Sequence, residues 1–189
     1  MDYDTFDALI FDCDGTLVDS MPLHYRAWVE TLNRYKVPFP EPRFYGLGGQ
    51  PTLTIATLLG EEHGVEWDPQ VVSTEKELAF RALAGAVKPI EAVVAIARQY
   101  RGKKPMAVAT GSMGALARHE LEAIGVLDWF SAFVAAEDVK NPKPAPDAFL
   151  EAARRLEVSP ERCVAFEDSV LGLASIRAAG MTAVDIRSW

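Results

Sequence analysis

Short apolar runs alternate with amphipathic stretches along most of this 189-residue chain, and this alternation limits the possible folds more than any other feature. The apolar runs lack strict alternation of apolar and polar residues, which is typical of strands that are covered on both faces. They occupy residues 8–11, 106–109, 132–135, 163–166 and 183–186. Helical patterns lie between them, over residues 90–100, 114–124, 145–156 and 170–179. This order predicts an α/β fold with a doubly wound parallel sheet.

One region, residues 21–86, breaks the alternation because it has helical periodicity and no good strand. Its apolar stripes are His24, Trp28, Leu32 and Tyr35; Leu53, Ala56, Thr57 and Gly60; and Val71, Leu78 and Ala82. We therefore expect a small all-helical cap over residues 21–86, inserted after the first strand, and a core formed by residues 1–20 and 87–189. Such a cap would stand over the carboxyl ends of the strands, where open α/β sheets bind ligands.

Charge and composition exclude several classes of partner. The chain has 27 acidic and 19 basic residues and a formal net charge of -8, which disfavours nucleic acid and anionic membranes. No apolar run approaches the roughly 20 residues of a membrane span, and the acidic start lacks the basic segment of a secretory signal. Cys13 and Cys163 form no disulfide framework. We expect a cytoplasmic monomer.

Two carboxylates follow the first predicted strand directly, in the run Asp12-Cys13-Asp14-Gly15-Thr16. Charges at that position are costly without a cation or hydrogen bonds. A simple Asp-Gly hairpin turn would need a second strand at once, whereas residues 17–20 lead into a helix. A calcium loop would need glycine where Leu17 stands and glutamate where Leu23 stands, so this template fails.

Three further strand ends or loops carry polar groups. Thr110-Gly111-Ser112 offers a hydroxyl and backbone N–H groups to an anion, although a plain N-cap explains Ser112 equally well. The prolines of residues 140–147 stiffen a loop that holds Lys143, while Lys140 fits a solvated position. Glu167-Asp168-Ser169 brings more acids, or an N-cap. Together these segments predict a Mg²⁺ site of hard oxygen ligands beside a phosphate pocket.

Residues 12–20, 110–112, 143–147 and 167–169 resemble the four motifs of the haloacid-dehalogenase-like superfamily, in that family's order. The helical region resembles the small cap of the β-phosphoglucomutase-like branch, and the chain looks most like bacterial sugar phosphatases of the fructose 1-phosphate type. The resemblance implies a Mg²⁺-dependent phosphatase for a small phosphorylated sugar. The alternative is a β-phosphoglucomutase that interconverts β-glucose 1-phosphate and glucose 6-phosphate. A non-catalytic binding module on the same fold would not need the nucleophile.

The resemblance also implies a role for each motif residue. Asp12 would be the nucleophile and Asp14 the general acid and base. Thr110 and Lys143 would bind the oxygens of the transferring phosphoryl group. The metal ligands would be Asp12, the backbone carbonyl of Asp14, Asp168, and Glu167 through water. Because the dehalogenases of the superfamily need neither Asp14 nor Mg²⁺, a carbon–halogen substrate is disfavoured.

The expected substrate contacts lie mainly in the cap. His24 stands where mutase relatives carry a histidine near the acid–base residue, although packing beside Trp28 is an equal alternative. Residues 46–51 resemble the substrate loop of the cap, with Gly48 and Gln50 as contacts. Mutases have an arginine in this loop for a distal phosphate, where Gln50 and Pro51 stand here, so hydrolysis is favoured. The remaining candidates are Gly111, Ser112 and Lys76, although a solvated position is the simpler expectation for Lys76, as it is for Arg43.

Overall fold

A computed structural model describes residues 2–189 and contains a five-stranded sheet in the order β3-β2-β1-β4-β5, with every pair parallel. The strands are β1 Ala8–Phe11, β2 Met106–Ala109, β3 Ala132–Val134, β4 Cys163–Glu167 and β5 Thr182–Asp185. This order confirms the predicted doubly wound α/β fold. Because β1 lies in the middle of the sheet, its carboxyl end is flanked by the carboxyl ends of β2 and β4.

Helices cover both faces of the sheet. They are α5 Glu91–Tyr100, α6 Gly114–Ala123, α7 Asp147–Leu156 and α8 Val170–Ala178. Leu9 and Phe11 of β1 pack in the core that includes α5 and α6, whereas Ala8 and Ile10 pack in the core that includes α7 and α8. Both faces of β1 are therefore buried, which explains why the strand reads as a continuous apolar run.

Four helices lie between β1 and α5, and we call them the helical insert: α1 Met21–Arg34, α2 Glu41–Gly46, α3 Thr52–His63 and α4 Pro69–Arg81. The insert has its own apolar cluster, in which Trp28 and Leu32 of α1 pack with Ile55 and Leu59 of α3. The insert thus buries an apolar core that is separate from the two cores of the sheet.

The predicted apolar stripe of α4 is wrong. Val71, Leu78 and Ala82 are exposed, and the buried residues of the helix are Val72, Ser73, Lys76 and Phe80. On α3, Leu53 of the predicted stripe is also exposed. The α4 helix is turned so that Phe80 stacks on the ring of His24, with centroids 3.6 Å apart, and this orientation buries polar residues on the same face.

Two predicted absences can be compared with the described chain. Cys13 and Cys163 are both free and buried, so they form no disulfide, as predicted. Within residues 2–189, none of the helices combines the length and the apolar character that crossing a bilayer requires.

Candidate active site

The carboxyl ends of three neighbouring strands bring the motif residues to one edge of the sheet. Asp12 follows β1, Thr110 follows β2 and Glu167 is the last residue of β4. Lys143 joins them from the loop before α7. A cavity of about 460 Å³ separates this edge from the helical insert and is lined by residues of both. The sheet thus supplies one wall of the cavity and the insert supplies the other.

Lys143 lies between two buried carboxylates. Its Nζ donates to Asp12 Oδ1 and to Glu167 Oε2, each at 2.7 Å. The second oxygen of Glu167 accepts from the backbone N–H groups of Asp168 and Ser169, at 3.2 and 2.9 Å. Glu167 is therefore held at both oxygens, and it holds Lys143 against Asp12.

The carboxylates of Asp12, Glu167 and Asp168 form a compact cluster, with one oxygen of each within 4.8 Å of the others. Burial and the charge of Glu167 raise the pKa of Asp12 well above its usual range. Burial and Glu167 also raise the pKa of Asp168 to about 7. Three carboxylates thus share one buried ammonium, and this excess of negative charge, carried on oxygen, fits a hard divalent cation.

The turn after Asp12 is shaped around this cluster. Gly15 has a φ of +76°, and a Cβ at this position would lie 2.3 Å from Asp168 Oδ2. Only glycine combines that backbone conformation with so close an approach. The Thr16 hydroxyl then donates to Asp168 Oδ1 at 3.2 Å, which fixes the carboxylate from the same turn.

The carboxylate of Asp14 is not part of this cluster and accepts three hydrogen bonds. Ser20 Oγ and His24 Nε2 lie 2.6 and 2.9 Å from Oδ1, and Ser112 Oγ lies 2.5 Å from Oδ2. Burial by itself raises the pKa of this carboxyl group, but the His24 ring and the hydrogen bonds outweigh it, so that the pKa lies below the usual range. Asp14 is thus held in its ionised form, as a base.

A buried lysine stands behind His24. Lys76 Nζ lies 2.8 Å from His24 Nδ1, and an ammonium group can only donate, so Nδ1 accepts and the ring proton is on Nε2. Burial and the charge of Lys76 lower the pKa of His24, which keeps the ring neutral. The chain Lys76–His24–Asp14 therefore directs an N–H donor at the carboxylate of Asp14.

The structure decides the expectations for four single residues, of which the first two were wrong. Lys76 is buried, with 3% of its surface exposed, rather than solvated, because it is the hydrogen-bond donor to His24. Ser112 is not an N-cap: Met113 caps α6, and the Ser112 hydroxyl binds Asp14 instead. Arg43 is exposed and pairs with Glu62, as expected for a solvated residue. The alternative of a cap at residues 168–169 holds for Ser169, which accepts from the N–H of Gly172.

The other predicted contacts line the cavity. Thr110 Oγ1 accepts from the Ser112 N–H at 3.0 Å, and Gly111 lies between these two residues. Gly48 and Gln50 line the cavity from the loop before α3. In this loop Gly49 has a φ of +83°, and a Cβ there would lie 2.8 Å from Ser169 Oγ. The loop therefore packs directly against the segment that carries Glu167 and Asp168.

Sequence reasoning missed Glu120 on α6. Its side chain is fully buried near Asp14 and Cys13, and within residues 2–189 neither carboxylate oxygen has a hydrogen-bond partner. Burial, followed by the charge of Asp14, raises the pKa of Glu120 to about 10, so it is protonated at neutral pH. The available signal was spacing, because Glu120 lies one turn from Leu116 and Ala117 on the buried face of the helix.

Comparison with known proteins agrees with this geometry. Residues 6–180 match the haloacid dehalogenase-like hydrolase family. The chain is 42% identical to the fructose-1-phosphate phosphatase YqaB of Escherichia coli over 98% of both chains. It is 30% identical to a β-phosphoglucomutase of Bacillus subtilis, over 95% of this chain and 82% of that one. The crystal structure of a Clostridium difficile β-phosphoglucomutase has the same fold, with a TM-score of 0.87 at 23% identity over 95% and 84% of the two chains.

The chain belongs to the haloacid dehalogenase-like hydrolase family, as its four motifs predicted. The predicted enzyme class, a phosphatase, is confirmed by the family and by the similarity to YqaB over nearly the whole chain.

Proposed function

We propose that this enzyme is a Mg²⁺-dependent phosphatase that hydrolyses a small sugar phosphate of the fructose 1-phosphate type through an aspartyl-phosphate on Asp12. The observation that carries the proposal is the pair of aspartates at the end of β1. Asp12 lies against Lys143 within the acidic cluster, and Asp14, which lines the same cavity, accepts hydrogen bonds from Ser20, His24 and Ser112. The similarity to YqaB supports the choice of substrate.

The acidic cluster supports magnesium as the cofactor. Asp12 and Asp168 would hold the ion through their carboxylates, with Glu167 beside them and the backbone carbonyl of Asp14 as a further ligand. When bound, Mg²⁺ would offset negative charge on the phosphoryl oxygens and on Asp12. The raised pKa values of Asp12 and Asp168 support this assignment, because they reflect the burial of both carboxyl groups together with the negative charge of Glu167, which Lys143 alone does not offset.

The first half of the reaction transfers the phosphoryl group to the enzyme. An Asp12 oxygen attacks phosphorus, the bond from phosphorus to the sugar oxygen breaks, and that oxygen takes a proton from Asp14. Lys143 and the Thr110 hydroxyl bind the phosphoryl oxygens, so that their charge is stabilised during the in-line transfer. Asp14 must therefore take up a proton from water before the transfer, and the neutral His24 ring donates a hydrogen bond from Nε2–H to its Oδ1 without giving up that proton.

The second half releases phosphate. Asp14, now ionised, takes a proton from water, the water oxygen attacks phosphorus, and the bond to Asp12 breaks. The three hydrogen bonds that Asp14 accepts support this role, because they stabilise the ionised form that a general base requires. In this proposal residues 21–86 act as a cap that excludes bulk water, over a core of residues 1–20 and 87–189.

A β-phosphoglucomutase is the second candidate, since it would use the same catalytic residues, and the relative from Bacillus subtilis supports it. The loop that faces the acidic cluster favours hydrolysis, because Gln50 and Pro51 provide no bidentate cation for a second phosphate. Phosphorus NMR tests both candidates. The purified protein is incubated with Mg²⁺ and fructose 1-phosphate, or with β-glucose 1-phosphate and a trace of glucose 1,6-bisphosphate. We expect inorganic phosphate to grow, whereas glucose 6-phosphate in its place would establish a mutase.

A further inference from the structure

The insert side of the cavity has one lysine, Lys76, and its ammonium group is already bound by neighbouring side chains. Lys76 Nζ donates to His24 Nδ1 at 2.8 Å and to Glu77 Oε1 at 3.1 Å, and it lies 5.2 Å from the centre of the Phe80 ring. With 3% of its surface exposed, it cannot turn towards a ligand without breaking these contacts. Lys76 therefore provides no free charge for a second phosphate.

Glu77 is the carboxylate that lines the same wall. Its Oε1 accepts from Lys76 and from the Thr52 hydroxyl, the latter at 2.6 Å, so the side chain is anchored by two residues of the cavity. About a third of the side chain (31%) remains exposed. The neighbouring groups on this wall are uncharged: Trp28, Gln50, Gln70 and Ser73. The wall thus offers hydrogen-bonding groups and an ion pair in which the carboxylate of Glu77 is exposed to the cavity while the ammonium of Lys76 is buried.

We propose that Glu77 is a specificity-determining residue, which makes the site prefer a substrate whose unreactive end is an uncharged polyol over one that carries a second phosphate. The inference rests on the proposed function and deepens it. A polyol can donate hydroxyl protons to the amide, hydroxyl and carboxylate oxygens of the wall. A second phosphate there meets a carboxylate at short range, in a cavity that screens charge less than water does.

Two further lysines line the cavity on the core side: Lys143, which is bound to Asp12 and Glu167, and Lys140, which is exposed. The charge of Lys140 is screened by solvent. Both lysines are also common to all the variants below, so a comparison among them isolates the effect of Glu77.

The test measures kcat/KM for fructose 1-phosphate and for fructose 1,6-bisphosphate, by phosphate release with saturating Mg²⁺. In Glu77→Gln we expect the ratio of bisphosphate to monophosphate activity to rise about tenfold, because a like charge is removed. Glu77→Asp keeps the charge and should keep the ratio within about twofold of the wild type. Glu66→Gln, an exposed residue that does not line the cavity, is the matched control for a change of one charge.

Each outcome decides a different statement. A folded Glu77→Gln variant with an unchanged ratio would overturn the inference and leave Glu77 as an anchor for Thr52 and Lys76 only. If Glu77→Gln fails to fold, Glu77→Met removes the same charge with a side chain of similar length. A rise of about tenfold in its ratio then supports the inference, and an unchanged ratio overturns it. A wild-type enzyme that hydrolyses neither sugar phosphate would overturn the proposed function itself.

Discussion

Asp12 and Asp14 are separated by one residue, yet their carboxylates lie in opposite environments. Asp12 has two acids and a lysine for neighbours, and its pKa is raised, whereas Asp14 accepts three hydrogen bonds, and its pKa is lowered. In a continuing strand, residues two apart would point to the same face. Here the N–H groups of Leu17 and Val18 both bond to the Cys13 carbonyl, so the chain leaves the strand between the two aspartates. A tight turn thus divides one motif into a nucleophile region and an acid–base region.

The largest expected effect is the loss of kcat when either aspartate is replaced, and the two losses should differ in size. Asp12→Asn should lower kcat by more than about 10⁴-fold on every phosphomonoester, because the nucleophile is lost. Asp14→Asn should lower it by about 10²- to 10⁴-fold on fructose 1-phosphate, as expected for loss of a general acid and base. Steady-state phosphate release under saturating Mg²⁺ measures both losses.

p-Nitrophenyl phosphate provides the control, because its leaving oxygen needs little protonation. On this substrate the Asp14→Asn variant should form the aspartyl-phosphate at a rate near that of the wild type, visible as a burst of p-nitrophenol. Asp12→Asn should give no burst. Equal losses for the two variants on both substrates would contradict the division of roles.

A second prediction concerns the nucleophile region and pH. Because the pKa of Asp168 is about 7, a proton competes with Mg²⁺ below that pH. The apparent Kd for Mg²⁺ should therefore fall about tenfold from pH 6 to pH 8 as the carboxyl group ionises. Calorimetric titration in two buffers of different ionisation enthalpy would count the protons released. A Kd that is equal at pH 6 and pH 8, with no proton release, would show that this cluster does not hold the metal.

A third prediction concerns the acid–base region. Lys76→Met keeps much of the length of the side chain but removes the donor to His24, so the ring is free to place its proton on Nδ1 and no longer donate to Asp14. We expect kcat to fall about tenfold, by the worth of one hydrogen bond to a charged group, with a smaller change in KM. Lys88→Met, at an exposed lysine, is the control. An unchanged kcat and pH profile would limit Lys76 to a structural role.

The two walls of the cavity also differ in how well they could be predicted from sequence. On the sheet side, the boundaries of β1 and β2 were predicted to the residue, because buried strands of a parallel sheet are continuous apolar runs with polar motifs at their carboxyl ends. Asp12, Lys143 and Glu167 could therefore be assigned to one edge before any distance was known.

On the insert side, the helices were predicted, but the buried face of α4 was not. Hydrophobic periodicity favoured Val71 and Leu78, while the structure buries Ser73 and Lys76 because they face the cavity and His24. Lys76 is a charged residue, so hydrophobic periodicity could not predict its burial. It is buried because it donates a hydrogen bond to His24 on the neighbouring helix α1. Glu120 was missed for the same reason.

Replacement of Glu120 should have the smallest effect on activity, and its main effect should be on the stability of the fold. Since the pKa of Glu120 is about 10 in the folded protein and near 4.5 when unfolded, the unfolded chain loses this proton first as pH rises. The free energy of unfolding therefore falls with pH between about 4.5 and 10 on this account, by up to about 1.4 kcal/mol per pH unit. Glu120→Gln removes the titration, and any cost of its buried amide is independent of pH. Urea unfolding at pH 6, 7 and 8 measures the free energy of unfolding of the variant and of the wild type. The variant value minus the wild-type value should become more positive as pH rises. A difference that is constant with pH would mean that Glu120 is ionised in the folded protein.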